Sequence, residues 1–186
     1  MSEEQKPSPL RLRRKHGEGR RPDVSAEDGA RLVRAQSLHR AVVASLIASV
    51  LFCIAWVALA AMTNRVFPWM TIVLGAAVGY AVRRAGRGVD WRFPVLAAVI
   101  TAFGAVGSNV VVAASTTAAE YGTDTLHILR AVTTMTWPVF FDEHWNTGDT
   151  FFAVFAAGVA AFLAPRKLTR RQFHAMRLWR GPSDRH

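Results

Sequence analysis

A chain of 186 residues has length for about one domain, and a hydrophobic fraction of 51% with a mean hydropathy of +0.17 would suit a soluble protein. The formal net charge of +10 invites a nucleic-acid reading, but the basic run Arg11-Leu12-Arg13-Arg14-Lys15 has no interleaved aromatics for base stacking and no nucleic-acid fold beside it. A single cysteine, Cys53, rules out an intramolecular disulfide; with no HExxH, Walker A, G-x-S-x-G or G-x-G-x-x-G sequence present, no catalytic, cofactor-binding or metal-ligating residues are expected and the chain is not read as an enzyme.

The averages hide a segregation along the chain. Residues 1–40 carry ten Lys/Arg and six Asp/Glu with Pro7, Pro9 and Pro22 and no aromatic. Too little apolar surface is available there to offset the entropy of ordering, so this basic tail is expected to be mostly disordered. The exception is Ala26 to Arg40, where a helix leading into the following apolar run is expected. From Ala41 to Met62 there are 22 residues without a charge. As a helix this run would extend ~33 Å, enough for a hydrocarbon core of about 30 Å. The leader before it is too long, and the run itself too extended, for a cleaved signal peptide. A retained membrane span over 41–62 is expected, with Cys53 as a small apolar filler.

A short turn at Thr63-Asn64-Arg65 precedes a second span over 66–82, opened by Val66 or Phe67 with Pro68 in its first turn. At this length the span should stand upright or thin the bilayer. The loop 83–92 is basic and punctuated by glycine, and Asp90 is expected to be the N-cap of a third span over 93–116. Residues 117–148 form the longest connection. Leu126, Leu129 and Val132 there recur at helical spacing, so an amphipathic interfacial helix is expected over 125–136, ended by Pro138. Glu120, Asp124, His127, Asp142, Glu143, His144 and Asp149 have no spacing that sets ligands on one face, and are read as a solvated acidic loop. Asn146 to Thr150 supply N-cap residues for a fourth span over 149–164, ended by Pro165. In the basic tail 166–186, Leu168, Phe173, Met176 and Trp179 follow helical spacing, which predicts a helix on the inner leaflet, with a partner-docking site as the alternative.

Counting Lys/Arg sets the orientation. The N-terminal tail has ten, the 83–92 loop four and the C-terminal tail seven, against only Arg65 and Arg130 on the other side. Four spans bring all three basic segments to one side; three or five would split them. The fold class expected is therefore all-α integral membrane: four transmembrane helices with both termini cytoplasmic, a 41–165 transmembrane domain, and an interfacial helix in the outer loop.

Small residues recur every fourth position at Thr71, Gly75 and Gly79, and at spacings of three or four at Ala97, Thr101, Gly104 and Ser108. Lipid supplies no hydrophobic drive between helices, so such faces allow the backbones to approach. The two stripes are expected to pack on each other, with homodimerisation as a second use. Asn109 is the most polar side chain within a span and is expected to hydrogen-bond a neighbouring helix. No ionisable residue lies mid-span, which argues against a proton-coupled transporter.

The stretch Gly79-Tyr80-Ala81-Val82-Arg83-Arg84-Ala85-Gly86-Arg87-Gly88-Val89-Asp90, followed by Phe93, Gly104, Ser108 and Asn109, is similar to a signature of small multi-pass bacterial membrane proteins with no established activity. In that family a helix leaves as Gly-aromatic-Ala-Val-Arg into a Gly-x-Gly-Ile-Asp turn. This chain departs from the pattern at Pro94 and Ser108, where glycines are expected. The resemblance implies a shared helical hairpin around a basic cytoplasmic turn. Glycine freedom at Gly86 and Gly88 would allow the reversal, with Arg83, Arg84 and Arg87 meeting lipid phosphates.

The expected function is a non-enzymatic scaffold or interaction protein of the bacterial inner membrane. Its partners would be the anionic inner leaflet, another membrane protein or a second copy of itself, and not nucleic acid. The alternative is an oligomeric channel, holin-like pore or transporter subunit.

Overall fold

The computed structural model describes residues 25–131, 138–139, 142 and 145–180, and among these the regular structure is all α-helix. The expected disorder of residues 1–24 lies outside the described residues, as do residues 132–136 of the expected outer-loop helix. In chain order the helices are α1 (Ala26–Arg34), α2 (Leu38–Thr63), α3 (Met70–Gly86), α4 (Arg92–Tyr121), α5 (Thr125–Ala131), α6 (Thr147–Leu163) and α7 (Arg170–Arg180).

Local chemistry sets where they begin and end, and it moves several expected boundaries. The helix expected to run from Ala26 through Arg40 breaks after Arg34. Ser37 starts α2 instead, its hydroxyl accepting from the Arg40 N–H at 3.4 Å while its own N–H donates to the Gly86 carbonyl at 3.1 Å. With that N–H engaged across the bundle, the chain cannot continue as one helix. α3 starts at Met70, later than expected, and Pro68 lies in the turn before it. The Phe67, Pro68 and Trp69 carbonyls accept from residues three ahead, and the Thr71 hydroxyl also donates to Pro68 O, so this turn is tighter than an α-helix. Asp90 is not the N-cap of α4: Trp91 occupies that position, and the Asp90 carboxylate accepts the Trp91 N–H at 2.8 Å. α4 continues to Tyr121, past the expected end at Thr116. Ser115 and Thr116 are tolerated because their hydroxyls donate back to Val112 O and Ala113 O, and Gly122 stops the helix in the left-handed conformation. α6 opens on a reciprocal cap between Asn146 and Asp149, each side chain accepting the other's backbone N–H at 3.1 Å.

α2, α3, α4 and α6 form the bundle. α3 packs on each of the other three, and α4 also contacts α2 and α6. Two backbone bonds tie one end together: Ser37 N–H to Gly86 O, and Arg166 N–H to Gly88 O at 3.0 Å. The start of α2, the α3–α4 turn and the end of α6 therefore meet at the same end, with α2 parallel to α4 and α3 parallel to α6. α5 packs on α4, and α1 packs on α7.

The interior is made of small side chains. Its buried members include Ala41, Ser45, Thr71, Leu74, Val78, Val82, Ala97, Thr101, Ala105, Ser108, Ala156 and Ala160. The two small-residue stripes do not mate as expected. Gly75 and Gly79 face α6, where a Cβ on Gly75 would run into the Ala156 backbone and one on Gly79 would come within 2.7 Å of Ala160 O. Gly104 faces α2, its would-be Cβ 2.5 Å from the Ser49 hydroxyl. The expected hydrogen bond from Asn109 to a neighbour is also corrected: its amide donates to Ala105 O of its own helix at 3.1 Å. Trp56 is fully buried against Ala60 and Val112, edge-on to Phe52 with ring centroids 6.0 Å apart.

Apart from Trp56, Leu74, Phe93 and a few others, the large apolar side chains point outward. Leu51 is 62% exposed, Phe103 76% and Phe162 84%. α2 and α4 are long and apolar enough to cross a membrane, and the most apolar 18-residue stretch of α2 is only 11% buried. α3 and α6, 17 residues each, would extend ~26 Å.

Candidate functional site: the basic end of the bundle

Every Lys/Arg between residues 25 and 180 except Arg65 and Arg130 lies at the end where Ser37, Gly86, Gly88 and Arg166 meet, or on the α1–α7 pair attached to it. The centre of this end is the α3–α4 turn. The sequence places the conformational freedom of the turn at Gly86 and Gly88, but the left-handed residue there is Arg87, with φ of 49°. The two glycines serve close approach instead. A Cβ on Gly86 would lie 2.6 Å from the Phe93 ring, and one on Gly88 would enter that ring. Phe93 is buried, so the ring is held over the turn and only glycine fits beneath it. With the two interhelical bonds to Gly86 O and Gly88 O, this makes the turn a clamp on the ends of α2 and α6.

The charges spread around the clamp. Arg84, Arg87 and Arg92 are exposed on the turn, and Arg92 pairs with Asp90 at 3.6 Å. Trp91 is exposed beside them. On α1, Arg31 pairs with Glu27 at 3.3 Å one helical turn away, and Asp28 is engaged in the Ser25 cap. Among the described residues these are the two ion pairs. The other arginines of this end, and Lys167, carry no carboxylate partner there.

The sequence predicts a helix leading into the first apolar run and a helix on the inner leaflet in the C-terminal tail, with no contact between them specified. In the structure α1 and α7 pack on each other through Gly29, whose would-be Cβ meets Ala175 O at 2.5 Å and the Trp179 Cβ at 2.7 Å. Ala175 and Met176 are buried in this contact. The α7 helix starts at Thr169, whose hydroxyl accepts from Gln172 N–H while the Gln172 side chain accepts from Thr169 N–H. No motif announces this pairing. The available signal is a lone glycine inside an otherwise amphipathic nine-residue helix, a position that costs helix stability unless a neighbour needs the space.

At the opposite end, Glu120 and Asp124 are exposed and Asp149 is a buried cap residue, while Glu143 and His144 lie outside the described residues. No group of three or more His, Cys, Asp or Glu comes together among the described residues. Trp145 donates its indole N–H to the Thr150 hydroxyl at 2.7 Å, which fixes the entry into α6. An apolar depression of about 440 Å³ lies along α6 between Val154, Phe155, Gly158 and Phe162, with no polar group converging on it. The chemistry available at the basic end is that of many unpaired guanidinium groups beside exposed aromatic rings, suited to phosphate and carboxylate groups. No family model matches the chain, and neither a curated protein nor a solved structure does.

Proposed function

We propose that this chain is a four-span protein of the bacterial inner membrane, with both termini cytoplasmic, and that it acts as a non-enzymatic interaction protein. Its basic end meets anionic lipid or a protein partner. The observation that carries this reading is the inverted burial: Ala, Gly, Ser and Thr make up most of the interior, with Trp56, Leu74 and Phe93 among the few large side chains inside, while Leu51, Phe103 and Phe162 point outward. In water, each large aliphatic or aromatic side chain left exposed forgoes about 1.5–3 kcal/mol of burial free energy, so such a surface needs an apolar solvent. Hydrocarbon supplies it. Close packing of small residues then supplies the contact that holds helices together in lipid. α3 and α6 are short for a bilayer, and would cross it upright or with local thinning.

The clustering of charge supports the orientation. The clamp turn and both terminal helices share one end of the bundle, and positively charged loops are retained in the cytoplasm. The test is a set of topology reporters fused at each terminus and inserted at Thr123, combined with extraction of membranes by alkaline carbonate. Both termini should report cytoplasm and Thr123 the opposite face, with the protein retained in the pellet. Termini on opposite faces, or release into the supernatant, would contradict the proposal. Ion or solute flux in proteoliposomes containing only this protein would replace the interaction role with that of a channel or pore.

A further inference from the structure

We infer that the α1–α7 pair is a docking surface for the anionic headgroups of the membrane the bundle crosses, and that the charge of its arginine stripe governs the contact; this rests on the membrane reading above. A lone basic amphipathic helix normally lies in the interface with its apolar side sunk among the acyl chains. α7 has that composition, but the side centred on Ala175 and Met176 is covered by α1, while Phe173 and Leu178 stay exposed beside its arginines and Trp179 is partly exposed. Ala175 and Met176 are buried against α1, and Gly29 lets the two backbones come so close that even one added methyl would strike Ala175 O.

What α7 leaves outward is a cationic stripe. Arg170, His174 and Arg177 recur at i, i+4 and i+7 on one face, with Arg171, Phe173 and Leu178 exposed on its flanks. None of these arginines has a carboxylate partner among the described residues, while the two acids of α1 are engaged within α1 itself by Arg31 and the Ser25 cap. The pair therefore presents positive charge that its own acids do not neutralise.

Reach settles which anion it meets. Residues 35–37 alone join α1 to α2, and residues 164–169 join α6 to α7. Fully extended, these links span about 10 Å and about 20 Å. The pair is thus confined close to the plane where the bundle leaves the bilayer. The potential of an anionic leaflet persists over a Debye length of about 8 Å at physiological salt, so the pair sits where that potential acts. A free protein partner would have to enter the same narrow layer against the headgroups.

The experiment uses the full chain, with Cys53→Ser to remove the native thiol, in nanodiscs of phosphatidylcholine alone or mixed with phosphatidylglycerol. His174→Cys provides a reporter on the stripe and Thr123→Cys a control at the opposite end. Labelling by a membrane-impermeant maleimide is timed at each. At His174→Cys, labelling should slow about tenfold when anionic lipid is present. It should recover at about 1 M salt, where the Debye length is about 3 Å. It should recover also in the variant Arg170→Gln, Arg171→Gln, Arg177→Gln, while Thr123→Cys stays unchanged throughout. Equal rates in the two lipids would overturn the inference, and so would equal slowing in both, since that marks apolar insertion. Failure of the chain to enter nanodiscs at all would instead count against the membrane reading, which separates the two outcomes.

Discussion

α2 and α3 pack against each other, yet α2 buries only Ala41, Ser45, Trp56 and Ala60 across 26 residues, whereas α3 buries Thr71, Leu74, Gly75, Val78, Gly79, Val82 and Gly86 across 17. α2 is the more apolar of the two and the less enclosed. In a water-soluble protein that ranking would be reversed, because removal of apolar surface from water is what encloses a helix. Here enclosure follows the close approach that glycine and other small residues permit, with Leu74, Val78 and Val82 enclosed beside the glycines of α3. α3 sits at the centre because its glycines let α6 approach closely, and on the proposed membrane reading α2 sits outside because lipid tails would serve its Leu, Ile and Val residues equally well.

The comparison can be broken most sharply at Gly75. Gly75→Leu would drive a branched side chain into the Ala156 backbone, which cannot move aside as a flexible side chain would. A loss of about 3 kcal/mol or more is expected, read as a lower unfolding midpoint in detergent titration or as failure to purify monodisperse. Leu51→Arg attacks the other side of the comparison. Leu51 lies at the middle of α2 and faces outward, so a charge there should cost about 3 kcal/mol in insertion and reduce the membrane-integrated fraction in a translation assay. In a soluble protein the same exposed substitution would be nearly silent.

Smaller effects sharpen the contrast. Leu74→Ala, at a fully buried site, should destabilise by about 2 kcal/mol, because in lipid the loss comes mainly from the cavity and the missing dispersion contacts. Asn146→Ala should cost about 1 kcal/mol by leaving the Asp149 N–H without its cap, seen as faster amide exchange confined to the first turn of α6. Leu46→Ala, half-exposed on α2, should change the detergent unfolding midpoint by no more than about 0.5 kcal/mol, since lipid or detergent replaces what is removed.

Much of the helical framework is legible in the sequence because it is local. The uncharged run around Ala41 to Met62, the Asn146–Asp149 cap and the stop at Pro165 each depend on neighbours within a few positions, and the observed helices lie close to the ranges these features predict. The boundaries that shift, at Ser37 and Met70, do so where a backbone group bonds across the bundle or where a proline turn tightens, and neither is visible in composition. The mating of the glycine stripes is non-local as well. Spacing says that Gly75 and Gly79 lie on one face, but not that the face meets Ala156 and Ala160. Asn109 shows the same limit, since an amide in an apolar helix can reach its own i−4 carbonyl as readily as a neighbour. At the basic end, the sequence reveals how many arginines there are and that the basic segments share one end of the bundle. It does not reveal that Gly29 seats α1 on α7, because that contact joins residues nearly the whole described chain apart.

The most direct test of the inverted burial is a pair of spin labels, at Leu51→Cys on the outward face of α2 and at Val78→Cys inside α3, in Cys53→Ser protein reconstituted into nanodiscs. Collision with dissolved oxygen, which concentrates in hydrocarbon, should be strong at position 51 and weak at 78, and a water-soluble nickel complex should reach neither. Strong collision with the nickel complex at position 51 would mean that this face meets water, and the account would be wrong.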